Sequence, residues 1–288
     1  MTRSARAPGD LTLPDFVIIG APKCGTTTLA GWLRQRPDVF VPERKEAEYF
    51  NRFHDRGLDW YAQKFRDATP HQQIGEATPA YLFDDLALER LATTLPQAPA
   101  IAVLREPASR VWSHYWFFRA LGVEGRSLRS AIRAEDRAGN AGTAVPVRHY
   151  LEHSRYVPHL QAAARALGRE RLLVLFLDEV QADPAAALAT VYDHLGLDPD
   201  VTVDITRTRN PGHIPRSYGL QRALIVSQMH RWAPRIARPV TRWNQSQVGK
   251  EAMTTEWRQE LRTRFEQDNA ALAEWLGRDL PAAWTDGD

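Results

Sequence analysis

An α/β fold is predicted, with a mostly parallel central sheet flanked by helices and a helical C-terminal part. Three observations predict it. Short apolar runs recur along the chain, and segments with helical spacing separate them. That alternation makes βαβ units, whose crossovers cover both faces of a parallel sheet. With 288 residues, 43% of them hydrophobic, the chain is long enough to bury one large core.

The first strand is Phe16–Ile19, a β-branched apolar run that ends at Gly20, and a helix over Thr26–Arg36 follows a short loop. Further strands are predicted at Val39–Val41, Gln73–Gly75, Ala100–Leu104 and Leu172–Leu177. Helices are predicted at Asp59–Phe65, Asp84–Leu95, Pro107–Leu121, Val157–Leu167, Pro184–Leu195 and Thr254–Leu276. Pro107 suits a first helical turn. Ligands of such sheets lie beyond the carboxyl ends of the strands, so chemistry is expected in the loops after Ile19, Val41, Gly75 and Leu104. Residues 1–15 read as a flexible N-terminal segment and residues 16–288 as a single domain. Gly139–Thr143 reads as a flexible surface loop or lid edge.

Composition excludes several classes. A net charge of +2 and 25% charged residues describe a globular chain, neither disordered nor strongly basic overall. Cys24 is the one cysteine, so no intramolecular disulfide forms, which suits a reducing cytosol and a cytoplasmic location. A thiolate at Cys24 would be favoured near a helix N-terminus. Met1 to Asp15 lack the apolar stretch of a signal peptide, and no run approaches a membrane span. His54, His114, His149 and His153 read as scattered, without H-E-x-x-H spacing, so no metal site is expected.

The chemistry concentrates after the first strand. A strand, a glycine loop and a helix N-terminus make a phosphate cradle from backbone amides and the helix dipole. Gly20 and Gly25 keep the spacing of the G-x-x-x-x-G-K-[ST] nucleotide loop, but Thr26 stands where that loop has lysine, and the lysine has moved to Lys23. That points to a phosphate donor other than ATP. The bland alternative is a glycine turn without ligand. After Ala100–Leu104 comes Arg105, where a P-loop ATPase carries a metal-binding aspartate. A guanidinium there suits a second phosphate. Ser113, eight residues on, falls about two helical turns later. A salt bridge of Arg105 with Glu106, and a surface serine at 113, are the plain alternatives. Arg110 reads as a solvated helix residue. From Ile205 to Lys250 there is no acid but nine Lys/Arg, which predicts a local positive field or an ordinary basic surface.

Pro22-Lys23-Cys24-Gly25-Thr26-Thr27-Thr28-Leu29 resembles the P-K-x-G-T-T-x-L loop of sulfotransferases that use 3′-phosphoadenosine 5′-phosphosulfate, PAPS. The resemblance implies a P-loop NTPase-like fold, PAPS as donor, 3′,5′-adenosine bisphosphate (PAP) as product, and no metal. It assigns Lys23, Cys24, Gly25, Thr26, Thr27 and Thr28 to the 5′-phosphosulfate. Arg105 and Ser113 fall on the 3′-phosphate motif. Asn210-Pro-Gly-His-Ile-Pro-Arg216-Ser217 resembles a late loop of bacterial carbohydrate-type members, which makes Arg216 a further 3′-phosphate ligand. Tyr156 stands where relatives have a tyrosine near adenine and phosphate. Later blocks, such as Asp178-Glu-Val and His194-Leu-Gly-Leu197, extend the resemblance over most of the chain.

On the acceptor side, Lys45-Glu46-Ala-Glu48-Tyr49-Phe50 resembles the K-E-x-H-[FY]-F segment of heparan-type sulfotransferases. It implies Glu46 as general base, with Lys45 assisting catalysis or holding Glu46. Glu48 replaces the histidine and is a rival base. Gly75-Glu76-Ala-Thr78-Pro79-Ala-Tyr81 resembles the family's cleft segment, where Glu76 could orient Lys23 or the acceptor. Thr78-Pro79 reads equally as a plain helix start. Tyr49, Phe50, Trp60, Tyr81, Trp112, Tyr115 and Trp116 are stacking surfaces or ordinary core. The implied reaction is sulfuryl transfer to a hydroxyl of a carbohydrate or small natural product. A P-loop nucleotide kinase, which needs the missing lysine and metal-binding acid, and a non-catalytic polyanion binder are the alternatives. No nucleic-acid partner is expected.

Overall fold

The computed structural model describes residues 11–138, 148–206, 214–227, 233–246 and 252–285. Along the chain run β1 (Phe16–Gly20), α1 (Thr26–Leu33), β2 (Val39–Phe40), α2 (Leu58–Ala62), β3 (Gln73–Ala77), α3 (Asp85–Thr94), β4 (Ala100–Leu104), α4 (Pro107–Ala120) and α5 (Leu128–Ala138). After residue 147 come α6 (Tyr156–Leu167), β5 (Leu172–Phe176), α7 (Leu177–Ala182), α8 (Pro184–Leu195), β6 (Ile214–Pro215), α9 (Tyr218–Val226), α10 (Pro234–Asn244), β7 (Gln245–Ser246), α11 (Thr255–Leu276) and α12 (Ala282–Thr285). The chain forms two compact units, one of residues 1–106, 156–209 and 268–288, the other of residues 107–155 and 210–267.

The first unit holds the sheet. Its five strands are all parallel, in the order β2-β3-β1-β4-β5. Phe16 pairs with Gly75, and Ala100 pairs with Leu172. Every residue of β1 and β4 is buried, as strands covered on both faces require. The chain starts at β1, moves out to β2 and returns at β3. It then passes to the other side of β1, to β4 and β5. That reversal puts the loop after β1 at the switch point of the sheet, where open α/β sheets form their binding crevice.

The strands lie where the apolar runs predict them, with ends that tertiary contacts adjust. β3 runs on to Ala77, and Leu177 opens α7 instead of closing β5. The helix expected to reach Arg36 ends at Leu33, because Pro37 disfavours a helical residue before it. Arg36 instead turns back to hold Asp38 through two hydrogen bonds of 2.9 and 2.7 Å. Asp84 caps α3, its carboxylate accepting from the Ala87 amide at 3.0 Å.

The second unit has its own core, built from Val111, Tyr115 and Trp116 of α4, Ala131 and Ile132 of α5, Tyr150, and Leu261 and Phe265 of α11. The expectation that Arg110 is solvated is wrong: its side chain is fully buried. Its guanidinium donates to Ser154 Oγ (2.7 Å) and to the carbonyl oxygens of His149 (3.1 Å) and Tyr150 (2.9 Å). An arginine enters the interior when oxygens meet its fork in this way. Gly139–Thr143 lies outside the described residues. Among the described residues, no helix is long and apolar enough to cross a membrane.

Candidate active site

Close packing shapes the loop after β1. A Cβ on Gly20 would stand 2.5 Å from Leu82 Cδ2, and one on Gly25 would stand 2.7 Å from Leu177 Cδ1. Gly25 has φ +88 and Lys23 has φ 73, so two residues of the loop are left-handed. Such alternation turns successive amides toward one side, which makes a nest for an anion. The first helical hydrogen bonds of α1 run from Thr28 and Leu29 N to Gly25 O, at 2.9 and 3.2 Å. The earlier amides, including those of Thr26 and Thr27, therefore sit at the open positive end of the helix. No acidic side chain occupies the first turn of α1. Cys24 points inward. Its side chain is buried, with Sγ 3.6 Å from Pro22 O and 3.9 Å from Tyr156 Oη.

Two cations edge this cradle. Arg105 follows β4, and its Nη1 donates to Lys23 O at 3.5 Å. Tyr156 fixes the Arg105 main chain, donating to its carbonyl at 2.7 Å and accepting from its amide at 3.4 Å. Burial first, and then the charge of Arg105, hold the Lys23 ammonium below its usual pKa, while Cys24 and Glu46 act in the opposite sense. A bound anion relieves both costs, since it neutralises the pair and replaces lost hydration.

The segment after β2 is laced to β3. Ala77 N donates to Lys45 O (3.0 Å), and Lys45 Nζ reaches both Ala77 O (3.4 Å) and Glu46 Oε1 (2.7 Å). Lys45 is 10% exposed and Glu46 50% exposed, so the lysine is anchored and the carboxylate stands open. Glu46 is one of the charges acting on Lys23, which ties it electrically to the cradle. Glu48 sits in a left-handed turn (φ 52), with Arg52 at 3.6 Å.

Glu76 departs from its expected role. It is fully buried, and its carboxylate accepts from Tyr61 Oη in a short bond, from Thr78 Oγ1 (2.6 Å) and from Tyr81 Oη (2.8 Å). Burial raises its pKa, against hydrogen bonds from Thr78, Tyr61, Tyr81 and the Ala47 amide. The charges that act on Lys23 are those of Arg105, Cys24, Glu46 and Lys45, and Glu76 is held by its hydroxyl donors instead. It pins the segment that carries Glu46, because Thr78 Oγ1 also accepts from Glu48 N (3.3 Å) and Tyr81 Oη from Phe50 N (3.3 Å). Pro79 opens a 3₁₀ turn, Pro79–Phe83, the plain reading of Thr78-Pro79. Tyr49, Phe50, Tyr81, Tyr115 and Trp116 are buried and belong to the cores, whereas Trp60 and Trp112 are partly exposed.

Ser113 and Arg216 belong to the second unit. Ser113 is buried on α4. Arg216 follows β6, is exposed, and donates its amide to Asn244 O at 2.6 Å, with its guanidinium 5.8 Å from the Trp243 ring. Of the acid-free segment, Arg216, Arg222, Arg235, Arg238 and Arg242 are described, and all are exposed. Arg207, Arg209, Arg231 and Lys250, with Asn210–His213 of the late loop, lie outside the described residues. The histidines are not all scattered: His149 and His153 meet around Glu152. The i, i+3, i+4 spacing of these three residues was the signal that searching only for H-E-x-x-H overlooks.

Residues 13–214 match the sulfotransferase domain family. Membrane-associated sulfotransferase kil1 of Dictyostelium discoideum is 41% identical over 110 residues, 37% of this chain and 23% of that protein. Heparan sulfate glucosamine 3-O-sulfotransferase 6 of Mus musculus is 31% identical over 208 residues, 69% of this chain and 56% of that protein. The chain thus spans between about a quarter and just over half of these curated relatives. A sulfotransferase from Alicyclobacillus acidocaldarius shares the fold, with a TM-score of 0.71, 24% identity, and coverage of 95% of this chain and 99% of that one.

Proposed function

The chain belongs to the PAPS-dependent sulfotransferase family, and we propose that residues 16–288 act as one domain that moves the sulfuryl group of PAPS to a hydroxyl of a carbohydrate or small natural product, releasing PAP. The observation that carries this reading is the fastening of Arg105 to Lys23 beside the open end of α1. A cradle with two separate cations suits a nucleotide that is anionic at both its 5′ and its 3′ position.

PAPS supplies an electrophilic sulfur bonded to a phosphate leaving group. Attack by the acceptor oxygen forms the new S–O bond while the S–O bond to the 5′-phosphate breaks. Glu46 takes the hydroxyl proton, a role that typically supplies ~10²–10⁴-fold. Its openness and its charge coupling to Lys23 favour it over Glu48, which faces Arg52. Lys45 holds Glu46 in place. Lys23 and the amides of Gly25, Thr26 and Thr27 neutralise charge that grows on the leaving phosphate. Arg105 holds the 3′-phosphate. The carbohydrate acceptor is supported by the kinship with heparan sulfate sulfotransferases. A cytoplasmic location is part of this reading, supported by the single, buried Cys24.

Two measurements test it. Calorimetry with PAP should show stoichiometric binding without added metal, and labelled PAPS should transfer its label within a panel of sugars, phenols and amines. Heat with Mg-ATP but none with PAP would overturn the reading.

A further inference from the structure

We infer that His149, Glu152 and His153 form a binding site for one divalent transition metal ion of the zinc type. The three side chains fall at i, i+3 and i+4, which places them on one face of a helical turn. Zinc enzymes use the H-x-x-E-H spacing to bring its two histidines to the metal, and here the Glu152 carboxylate lies against both. One ligand atom from each lies within 4.8 Å of the others. Both imidazoles address the same carboxylate oxygen: His149 Nδ1 is 3.3 Å and His153 Nε2 is 3.1 Å from Glu152 Oε2. The two rings stack, with centroids 4.7 Å apart and planes 25° apart.

Two neutral imidazoles and one carboxylate form a donor set that suits a single cation. Zinc bonds to nitrogen and to carboxylate oxygen are ~2.0–2.2 Å long, so a tetrahedral ion needs its ligand atoms ~3.4 Å apart. Two of the contacts, at 3.3 and 3.1 Å, already have about that length, and all three ligand atoms lie within 4.8 Å of one another.

The backbone under the cluster is held from two sides. Glu135 accepts from the amides of Tyr150 (2.8 Å), Leu151 (2.9 Å) and Glu152 (2.9 Å). The buried Arg110 donates to the carbonyls of His149 and Tyr150. The turn is therefore organised before any ion arrives, which lowers the entropic cost of binding. The side chains stay reachable, at 40, 32 and 20% exposure for His149, Glu152 and His153. Two imidazoles and a carboxylate select zinc, copper, nickel or iron over magnesium and calcium, which prefer oxygen ligands. Three protein ligands leave a position for water. The site is independent of the sulfuryl-transfer reading and uses none of its residues.

The test uses the full chain without an affinity tag, stripped with a chelator. Zinc chloride is titrated against a chromophoric competitor, and cobalt(II) binding is followed by visible absorption. The expected result is one equivalent bound, with affinity reduced about tenfold or more in H149A, H153A and E152Q, and unchanged in H71A. The metal should also raise the melting temperature of the parent chain and not that of H149A/H153A. Circular dichroism identifies a variant that fails to fold, and H153Q then replaces it. No stoichiometric binding, or an affinity in H149A and H153A equal to that of the parent chain, overturns the proposal.

Discussion

The guanidinium of Arg105 is hydrogen-bonded to the main-chain oxygen of Lys23, so the cation after β4 is fastened to the loop after β1. The two residues are 82 positions apart in sequence, and adjacent parallel strands deliver both to the carboxyl end of the sheet. The first prediction follows from that bond.

Arg105→Ala should weaken PAP binding by about 2–3 kcal/mol, the worth of lost hydrogen bonds to a charged group. Arg105→Lys should recover only part of this, because an ammonium lacks the fork that fits a phosphate. Isothermal calorimetry of the three proteins checks the order.

Glu46→Gln should lower turnover by ~10²–10⁴-fold and leave PAP affinity nearly unchanged, as loss of a general base requires. Glu48→Gln should cost far less, since Glu48 is turned toward Arg52. A larger loss in the Glu48 variant would reassign the base. Single-turnover rates with labelled PAPS separate the two.

Gly25→Ala should destabilise the fold by at least ~1–2 kcal/mol, since an L-residue at φ +88 is strained and its Cβ would meet Leu177 Cδ1 at 2.7 Å. PAP binding should fall as well. Gly31→Ala, where no atom stands within 4 Å of the added Cβ, should be neutral or stabilising by ~0.5–1 kcal/mol. Thermal unfolding of both variants measures the contrast.

The second unit carries an acid-sensitive group in Glu124, which is buried beside Arg126 (3.0 Å) and Arg148 (2.8 Å). Burial pushes its carboxyl up, but hydrogen bonds from Arg126 and Arg148 outweigh burial and bring it down to about 2. A depressed carboxylate contributes stability that is complete above its ordinary value of 4.5 and is lost as pH falls through about 2. Melting temperature should therefore drop over that window. Glu124→Gln should remove this part of the acid dependence and cost about 3 kcal/mol at neutral pH.

The local features of this protein were decided by sequence alone. The apolar runs at Phe16–Gly20 and Ala100–Leu104 become buried parallel strands, because continuous apolar stretches are stable only when covered on both faces. The loop from Gly20 to Thr28 is legible for the same reason: glycine positions and a displaced lysine are properties of adjacent residues. α5, α9 and α10 were missed although α5 and α10 carry apolar residues at helical spacing and α9 ends in the apolar run Ala223–Val226, because only long runs beside a strand were read as helices. Tertiary structure decided the rest. Glu76 looks like a cleft residue until Tyr61 and Tyr81 close over it, and Arg110 looks solvated until Ser154 and two carbonyls receive it. A buried charge is tolerable only where distant partners converge on it, and spacing along the chain does not name those partners.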